Sequence, residues 1–364
     1  MKRVVVIGAG PAGSAAAMAL TRYPGVEVLL LEKASFPRRK PCGSGLSPWT
    51  LDLLQAMDLG ATIRKEAYPI KGAVIGGARG QPIEIRSKYE AAVLLRARFD
   101  MLLAHEEARR GADLREGIKV EEVVRADGRV IGVRMAQDSI ETDAVIVCNG
   151  ANTTQARAPR PGKTLRTIMG WYEDVEGVSD AVELYFDPMV KPFYGWVFPE
   201  SKQRVNIGIC YDPLPGSPNA RQRFDAFLDH RLATRMRAAR QIDKLVGHPI
   251  ATSYRPTALV QQGMLVAGEA GHLVDPATAE GIHHALASGQ IAGQFLGSLL
   301  DRGLAPSEAN LAPYTGLIRK RLGRRLAAGQ LFLRAAQTPI LDFALSVGSW
   351  KPVKSLLTWA LAGA

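Results

Sequence analysis

Cysteine is scarce in this sequence: three in 364 residues, at Cys42, Cys148 and Cys210. That wide spacing excludes a disulfide framework, offers no zinc-ligand pattern, and fits a reducing compartment. Long apolar runs are missing too, since none reaches the roughly 18–20 residues of a membrane span. Internal repeats and low-complexity tracts are absent. Met1-Lys2-Arg3 leads straight into an apolar run. This leaves no room for a signal peptide and predicts a cytoplasmic protein. What is present is 47% hydrophobic and 22% charged residues, the composition of a folded chain long enough for two domains or one elaborated one. The net charge of +11 points to nucleic acid, anionic lipid or a phosphorylated substrate, or to a basic proteome. No nucleic-acid signature accompanies it, so lipid or substrate phosphate is preferred and no nucleic acid is expected as a partner.

The organising stretch is the first. Val4-Val5-Val6-Ile7 reads as a strand buried on both faces, Gly8-Ala9-Gly10-Pro11-Ala12-Gly13 as a turn into a helix, and Val26–Leu31 as a second strand ending at Glu32. The glycines at 8, 10 and 13 suit a tight turn, close approach of backbone to a pyrophosphate, and close packing of helix on strand. A helix N-terminus offers free N–H groups and a positive dipole end to that phosphate. Glu32 stands where a carboxylate takes both hydroxyls of an adenosine ribose. Strand, turn, helix, strand and acid in register predict a dinucleotide site.

Further along, residues 49–58 predict a short helix, 68–85 short strands with glycine turns, and Glu90–Gly111 a helix. Ala126-Asp127-Gly128 predicts a hairpin between Val120–Arg125 and Arg129–Met135, and Ala144–Cys148 another buried strand ending at Asn149-Gly150. Residues 152–260 change character: short alternating strands (Ala181–Phe186, Phe193–Phe198, Val205–Tyr211), then a charged helix near 218–240. This predicts an α/β fold, with a Rossmann-like dinucleotide domain (1–151 and 261–304), an inserted antiparallel-sheet substrate domain (152–260) and a helical C-terminal region (305–364).

Several separate motifs together resemble the geranylgeranyl reductases, within the flavoproteins that share the para-hydroxybenzoate hydroxylase fold. One is the Gly8–Gly13 turn with Glu32. Another is Arg38-Arg39-Lys40-Pro41-Cys42-Gly43-Ser44-Gly45-Leu46, similar to the family's Cys-Gly-x-Gly loop. Arg96-Ala97-Arg98-Phe99-Asp100 matches R-x-x-F-D, and Tyr194-Gly195-Trp196-Val197-Phe198-Pro199 matches Y-x-W-x-F-P. The last is Gly268-Glu269-Ala270-Gly271-His272-Leu273-Val274-Asp275-Pro276, continuing to Glu280-Gly281-Ile282. The resemblance implies FAD as cofactor. It places Gly8, Gly10, Ala12, Gly13, Glu32, Lys33, Arg96 and the backbone of Val120 at the adenosine and diphosphate. It places Cys42, Gly43 and Gly45 beside the flavin ring, and Gly268, Glu269, His272, Gly281 and Ile282 at the ribityl chain and pyrimidine edge. Cys42, Tyr194 and Trp196 become the candidate catalytic residues, lining a pocket for an apolar, isoprenoid-like substrate.

The sequence also departs from the family. Its ribityl-binding aspartate is Glu269 here, Gly271-His272 replaces an Ala-Gly pair, Asn149-Gly150 replaces Asp-Gly, and Lys191 stands where a proline is expected, with Pro192 one position on. The implied activity is saturation of carbon–carbon double bonds in a polyprenyl lipid or quinone side chain by hydride from reduced flavin. No second GxGxxG marks a nicotinamide site, which leaves NAD(P)H or ferredoxin open as electron donor. Two rivals stand beside this reading: an oxygen-using hydroxylase or halogenase on the same fold, and a flavin- or lipid-binding protein without turnover. Halogenases of this fold carry W-x-W-x-I-P, from which Tyr194 and Phe198 depart.

Single residues carry two readings each. Cys42 is a flavin-adjacent thiol or a small buried hydrophobe. Tyr194, Trp196 and Phe198 alternate, so they share a face that is pocket wall or plain core. His272 is a satisfied loop histidine or a donor to the flavin C2 carbonyl. His283 and His284 read as packing or surface residues rather than metal ligands. Thr315–Gln337 carries six cations and no acid, with Ile318, Leu322 and Leu326 every four residues. It reads as a solvated helix on the body or as an interfacial helix on anionic lipid, the latter making the protein peripheral to a membrane.

Overall fold

The structure, a computed structural model, describes residues 1–336 and 338 apart from 79–80, 152, 157–163, 191–192, 214–215, 217 and 252–258. The Lys191-Pro192 departure, the turn at Gly80, Gln337 and residues 339–364 of the expected C-terminal region lie outside those residues. The chain divides into two compact units. The first takes Met1–Arg39, Ala97–Lys163 and Ala251–Gln330; the second takes Lys40–Arg96, Thr164–Ile250 and Leu331–Ala364. Residues 40–96, grouped above with the dinucleotide segments, therefore belong with the second unit's sheet, and that sheet is mixed where an antiparallel one was expected, because Tyr68–Gly76 pairs in parallel with Ala181–Tyr185.

The first unit is built on a six-stranded sheet in the order Val260–Gln261, Met264–Val266, Ala144–Val147, Lys2–Ile7, Val26–Leu31, Asp113–Arg115. The central strands pair in parallel, Val4 opposite Ala144 and Val28. Their near-continuous aliphatic sequence follows from burial on both faces. On one face Val5, Ile7, Leu29, Leu31, Val145 and Val266 meet Val123, Val130 and Val133 of a small three-stranded sheet. On the other lies the helix Pro11–Leu20, buried throughout. It packs on the helix Ile282–Asp301 at backbone distance. A Cβ at Gly289 would stand 1.9 Å from the Ala12 carbonyl oxygen, and one at Gly293 2.3 Å from that of Ala16.

The C-terminal helix Pro313–Ala336 contributes its residues up to Gln330 to this unit. Ile318, Leu322 and Leu326 are buried along it, with Tyr314. The apolar stripe that would enter a lipid surface is thus committed to the body. Among the described residues no helix is long and apolar enough to cross a membrane.

The second unit carries a nine-stranded sheet whose path includes Thr164–Glu173, Arg204–Tyr211, Gly195–Pro199, Ala181–Tyr185, Tyr68–Gly76 and Ile83–Val93. One face packs Ile168, Tyr172, Tyr185, Val197, Ile207 and Ile209 against Phe224 and Phe227 of the short helix Ala220–Phe227. The opposite face presents Met169, Trp171, Leu184, Trp196 and Cys210, with Phe186, Tyr194 and Phe198 beside them.

Three sequence expectations are corrected. Glu90–Val93 is strand, because Ala91, Ala92 and Val93 pair with Tyr68–Ile70, and the helix begins only at Arg96. Val120 precedes its strand, which spans Glu122–Ala126. The helix expected over 218–240 is α-helical only from Ala220 to Phe227, where a π turn (Leu228–Leu232) turns Arg231 onto Asp187.

Candidate functional site

In the first unit four chain segments end at the carboxyl edge of the parallel strands, the place where open α/β sheets bind ligands. After the first strand comes the glycine turn. Gly8 has φ +98°, a conformation that favours glycine, and its missing Cβ would lie 2.9 Å from the Asn149 Cα. A Cβ at Gly13 would lie 1.8 Å from the Gly8 carbonyl oxygen. Gly10 differs: its φ is −85°, and a Cβ there would meet only an Arg38 guanidinium nitrogen at 3.6 Å. Protein packing explains the first two glycines and leaves the third to a ligand that approaches the backbone. Gly281 is alike, with only Val274 Cγ2 at 3.6 Å. A dinucleotide diphosphate at the N-terminus of the helix Pro11–Leu20 fits this cradle.

Glu32 follows the second strand, and its carboxylate accepts the backbone N–H of Ala9 (3.0 Å) and of Ala34 (3.1 Å). Arg38 ties the turn together. Its guanidinium lies 3.5 Å from Glu32 Oε2, pairs with Asp100 Oδ2 at 3.1 Å and donates to the Ala9 carbonyl at 3.4 Å. Nearby, Glu107 is fully buried, and burial above all, with the Asp100 and Glu32 charges, pushes its carboxyl well above the ordinary range. The R-x-x-F-D aspartate thus holds Arg38 through its carboxylate.

At the next strand end Gly150 has φ +80°, and the Glu269 carboxylate leans over it, 4.0 Å from where a Cβ would be. Gly268–Gly271 forms a 3-10 turn capped by His272, which has φ +57° in the left-handed region. Burial pushes the His272 imidazole's pKa down, partly opposed by the Glu269 carboxylate, so the ring is neutral at pH 7. A non-glycine residue held in this region costs about 1 kcal/mol. His272→Gly should therefore raise the urea-unfolding stability of the apoprotein by about 1 kcal/mol. An equal or larger loss would show that the imidazole's packing outweighs the strain.

The second unit supplies the other candidates. Cys42 is half-buried, and its Sγ accepts the Ser44 N–H at 3.3 Å in a loop where Ser44 has φ +62°. The loop rests on aromatic rings: a Cβ at Gly43 would meet Phe198 Cδ2 at 3.1 Å and Trp196 Nε1 at 3.4 Å, and one at Gly45 would meet Phe198 Cε2 at 3.1 Å. Phe186, Tyr194, Trp196 and Phe198 form a ladder with successive ring centroids 5.7, 6.4 and 6.5 Å apart. Trp196 donates its indole N–H to Asn206 Oδ1 at 2.7 Å, and Asn206 donates to the Gly170 carbonyl, so the indole is fixed in place with its N–H already committed. At the same loop, Lys40 Nζ stands 2.7 Å from His248 Nε2.

The sequence candidates thus fall into two sets. Gly8, Gly10, Ala12, Gly13, Glu32, Gly268, Glu269, His272, Gly281 and Ile282 line the strand edge of the first unit. Cys42, Gly43, Gly45, Tyr194 and Trp196 gather in the second, and Arg96, buried, is also counted there. Lys33 is exposed, and the Val120 carbonyl accepts Gln155 Nε2 at 2.8 Å. Arg38, Lys40 and His248 were missed as site residues; the Arg-Arg-Lys run beside the Cys-Gly-x-Gly loop was the available signal for the first two. Among the described residues no group of three His, Cys, Asp or Glu side chains could hold a metal ion.

The family described as FAD binding domain matches residues 1–309. A digeranylgeranylglycerophospholipid reductase of Methanothrix thermoacetophila is 28% identical, over 95% of this chain and 91% of that protein. A menaquinone reductase of Mycobacterium tuberculosis is 30% identical, over 81% of this chain and 76% of that protein. Among solved structures, a geranylgeranyl bacteriochlorophyll reductase-like protein of Thermoplasma acidophilum superposes with a TM-score of 0.88 at 23% identity, covering 99% of this chain and 96% of that one. The fold is shared with the flavin-dependent brominase Bmp2, which has a TM-score of 0.82 at 18% identity over 100% of this chain and 94% of that one.

Proposed function

The chain belongs to the FAD binding domain family and is an FAD-dependent oxidoreductase, and from that premise we propose that it reduces carbon–carbon double bonds in a polyprenyl chain carried by a lipid or quinone. The observation that supports this most is the aromatic ladder Phe186–Tyr194–Trp196–Phe198 with the Cys42–Gly45 loop seated on it. Such a surface takes up an apolar chain along its length, with little hydrogen bonding to satisfy. FAD, when bound and reduced, supplies the hydride.

The chain's own residues bind and orient. The Gly8–Gly13 turn and Glu32 would hold the adenosine and diphosphate, while Gly268, Glu269, His272, Gly281 and Ile282 would hold the ribityl chain and pyrimidine edge. Met169, Trp171, Leu184 and Trp196 keep the substrate face dry, which suits hydride transfer over reaction with oxygen. The Lys40–His248 pair is the charged group closest in sequence to Cys42 and would supply the proton that completes saturation.

Dithionite-reduced protein mixed anaerobically with a menaquinone or a geranylgeranyl lipid should reoxidise its flavin and yield a product two hydrogens heavier. If only oxygen restores the yellow flavin, with every prenyl compound, the hydroxylase or halogenase reading takes its place.

For the membrane, burial of Ile318, Leu322 and Leu326 leaves charge as the attraction. Lys320, Arg321 and Arg324 are exposed on the C-terminal helix, each cation worth about 1 kcal/mol at an anionic surface and screened over about 8–10 Å. Adsorption to anionic vesicles should be present at low salt and abolished at about 0.5 M, where the screening length is shorter still. Salt-resistant adsorption would mean apolar insertion by another segment.

A further inference from the structure

The loop from Asp275 to Gly281 carries the chain into the helix Ile282–Asp301, and it is closed on itself. Asp275 donates its N–H to the Glu280 carbonyl (2.9 Å) and accepts that of Ala279 (2.9 Å), while its Oδ1 accepts Ala277 N–H at 2.8 Å and Thr278 N–H at 3.3 Å. A cation spans the ends of this loop. Arg325, from the C-terminal helix, donates Nε to Asp275 Oδ2 at 3.0 Å and Nη2 to Glu280 Oε2 at 3.3 Å. One turn further along the same helix, a Cβ at Gly329 would stand 2.8 Å from Asp275 Oδ1 and 2.9 Å from Pro276 Cδ. At the helix's other end, the Tyr314 hydroxyl donates to the Val266 carbonyl at 3.0 Å, on the strand that leads to Gly268. The helix therefore braces both ends of the segment that bears Gly268, Glu269, His272, Gly281 and Ile282. It begins at Pro313, beyond the residues 1–309 that match the family.

We infer that Arg325 is a positioning residue: through Asp275 and Glu280 it fixes the loop that presents Gly281 and Ile282 to the flavin. The inference rests on FAD occupying this edge and is independent of which substrate is reduced. Asp275, buried, and Glu280, half-buried, share this guanidinium; their carboxylates repel each other when it is removed, and the loop opens. The group able to replace the lost charge is His284. It is fully buried, and neither ring nitrogen has a hydrogen-bond partner among the described residues. Glu280, Asp275, His283 and Arg325 are the charged and titratable groups that face it. Burial first, with His283 and Arg325, holds its pKa near about 4, against the pull of the two carboxylates. Without Arg325 one downward influence is gone while burial and His283 remain, so the pKa moves up. A proton taken up by His284 as the pH falls then stands in, in part, for the guanidinium.

The test is FAD affinity, read from fluorescence during reconstitution of the full chain and expressed relative to wild type at each pH. Arg325→Met should weaken binding at least 20-fold at pH 7.5 and by a smaller factor at pH 5.5. Arg325→Lys should stay within five-fold at both, and Arg325→Met with His284→Gln should lose the acid recovery. Gly329→Ala, which wedges helix and loop apart without changing charge, should weaken binding with no acid recovery, and it decides the matter should Arg325→Met not fold. An Arg325→Met affinity within three-fold of wild type at pH 7.5, or a deficit equal at both pH values, overturns the inference. So does a Gly329→Ala affinity like wild type. None of these outcomes touches the prenyl-reduction reading, which stands or falls on anaerobic reoxidation.

Discussion

Gly10→Ala is expected to leave the apoprotein folded, with an unchanged melting temperature, and to cut FAD affinity about a hundredfold or more, roughly 3 kcal/mol. The reason is that this position has no packing demand for glycine. Its φ is −85°, and a Cβ would meet nothing nearer than an Arg38 nitrogen at 3.6 Å. The methyl would instead fill the space above the turn, where a diphosphate must approach backbone N–H groups. Gly13→Ala is the contrasting control. Its Cβ would enter the Gly8 carbonyl at 1.8 Å, with Gly8 unable to retreat because Asn149 stands behind it. That variant should lose both fold and cofactor. Differential scanning of the apoproteins beside FAD titration separates the two. Normal FAD affinity in Gly10→Ala would place the diphosphate elsewhere.

The second large effect is at Glu32. Removal of its carboxylate leaves the N–H groups of Ala9 and Ala34 without their acceptor and leaves Arg38 with Asp100 and the Ala9 carbonyl. Breaking a buried charge contact of this kind costs about 3 kcal/mol of stability, at the low end of the range because Asp100 remains. Loss of the ribose contact costs a further 1.5–3 kcal/mol or so in FAD binding, about 10- to 150-fold. Glu32→Gln keeps one acceptor and the shape, and should retain most of the stability while still losing affinity. If Glu32→Ala binds FAD as wild type does, the adenosine ribose is held by another group.

How much of this was legible in the sequence depends on how local each signal is. The glycine turn, its flanking strands and Glu32 sit within one βαβ unit, so spacing alone could place them. The Tyr194–Phe198 ladder was legible because a strand's period of two fixes the face. Glu90–Val93 misled because Glu and Ala favour helix, and pairing with Tyr68–Ile70 outweighed that preference. The helix beyond Phe227 gave way for a similar reason: Arg231 reaches Asp187 and Arg235 reaches Glu183, both far back in the chain. Arg38, His248 and Arg325 were hidden in the same way. Each is an ordinary surface-type residue until its partner arrives: Asp100 for Arg38, Lys40 for His248, and Asp275 with Glu280 for Arg325.

The glycine contacts between the helices Pro11–Leu20 and Ile282–Asp301 bear on how quickly the cofactor can come and go. With Gly289 against Ala12 and Gly293 against Ala16, the two backbones touch, and no side chain lies between them to rearrange. Neither helix can slide without forcing carbonyl oxygens into Cα positions, so the two helix N-termini move as one piece. With FAD bound as proposed, its exchange would wait on the short loops ahead of those helices. The residence time of the cofactor should track the mobility of Asp275–Gly281 and be insensitive to substitutions on the outer faces of either helix.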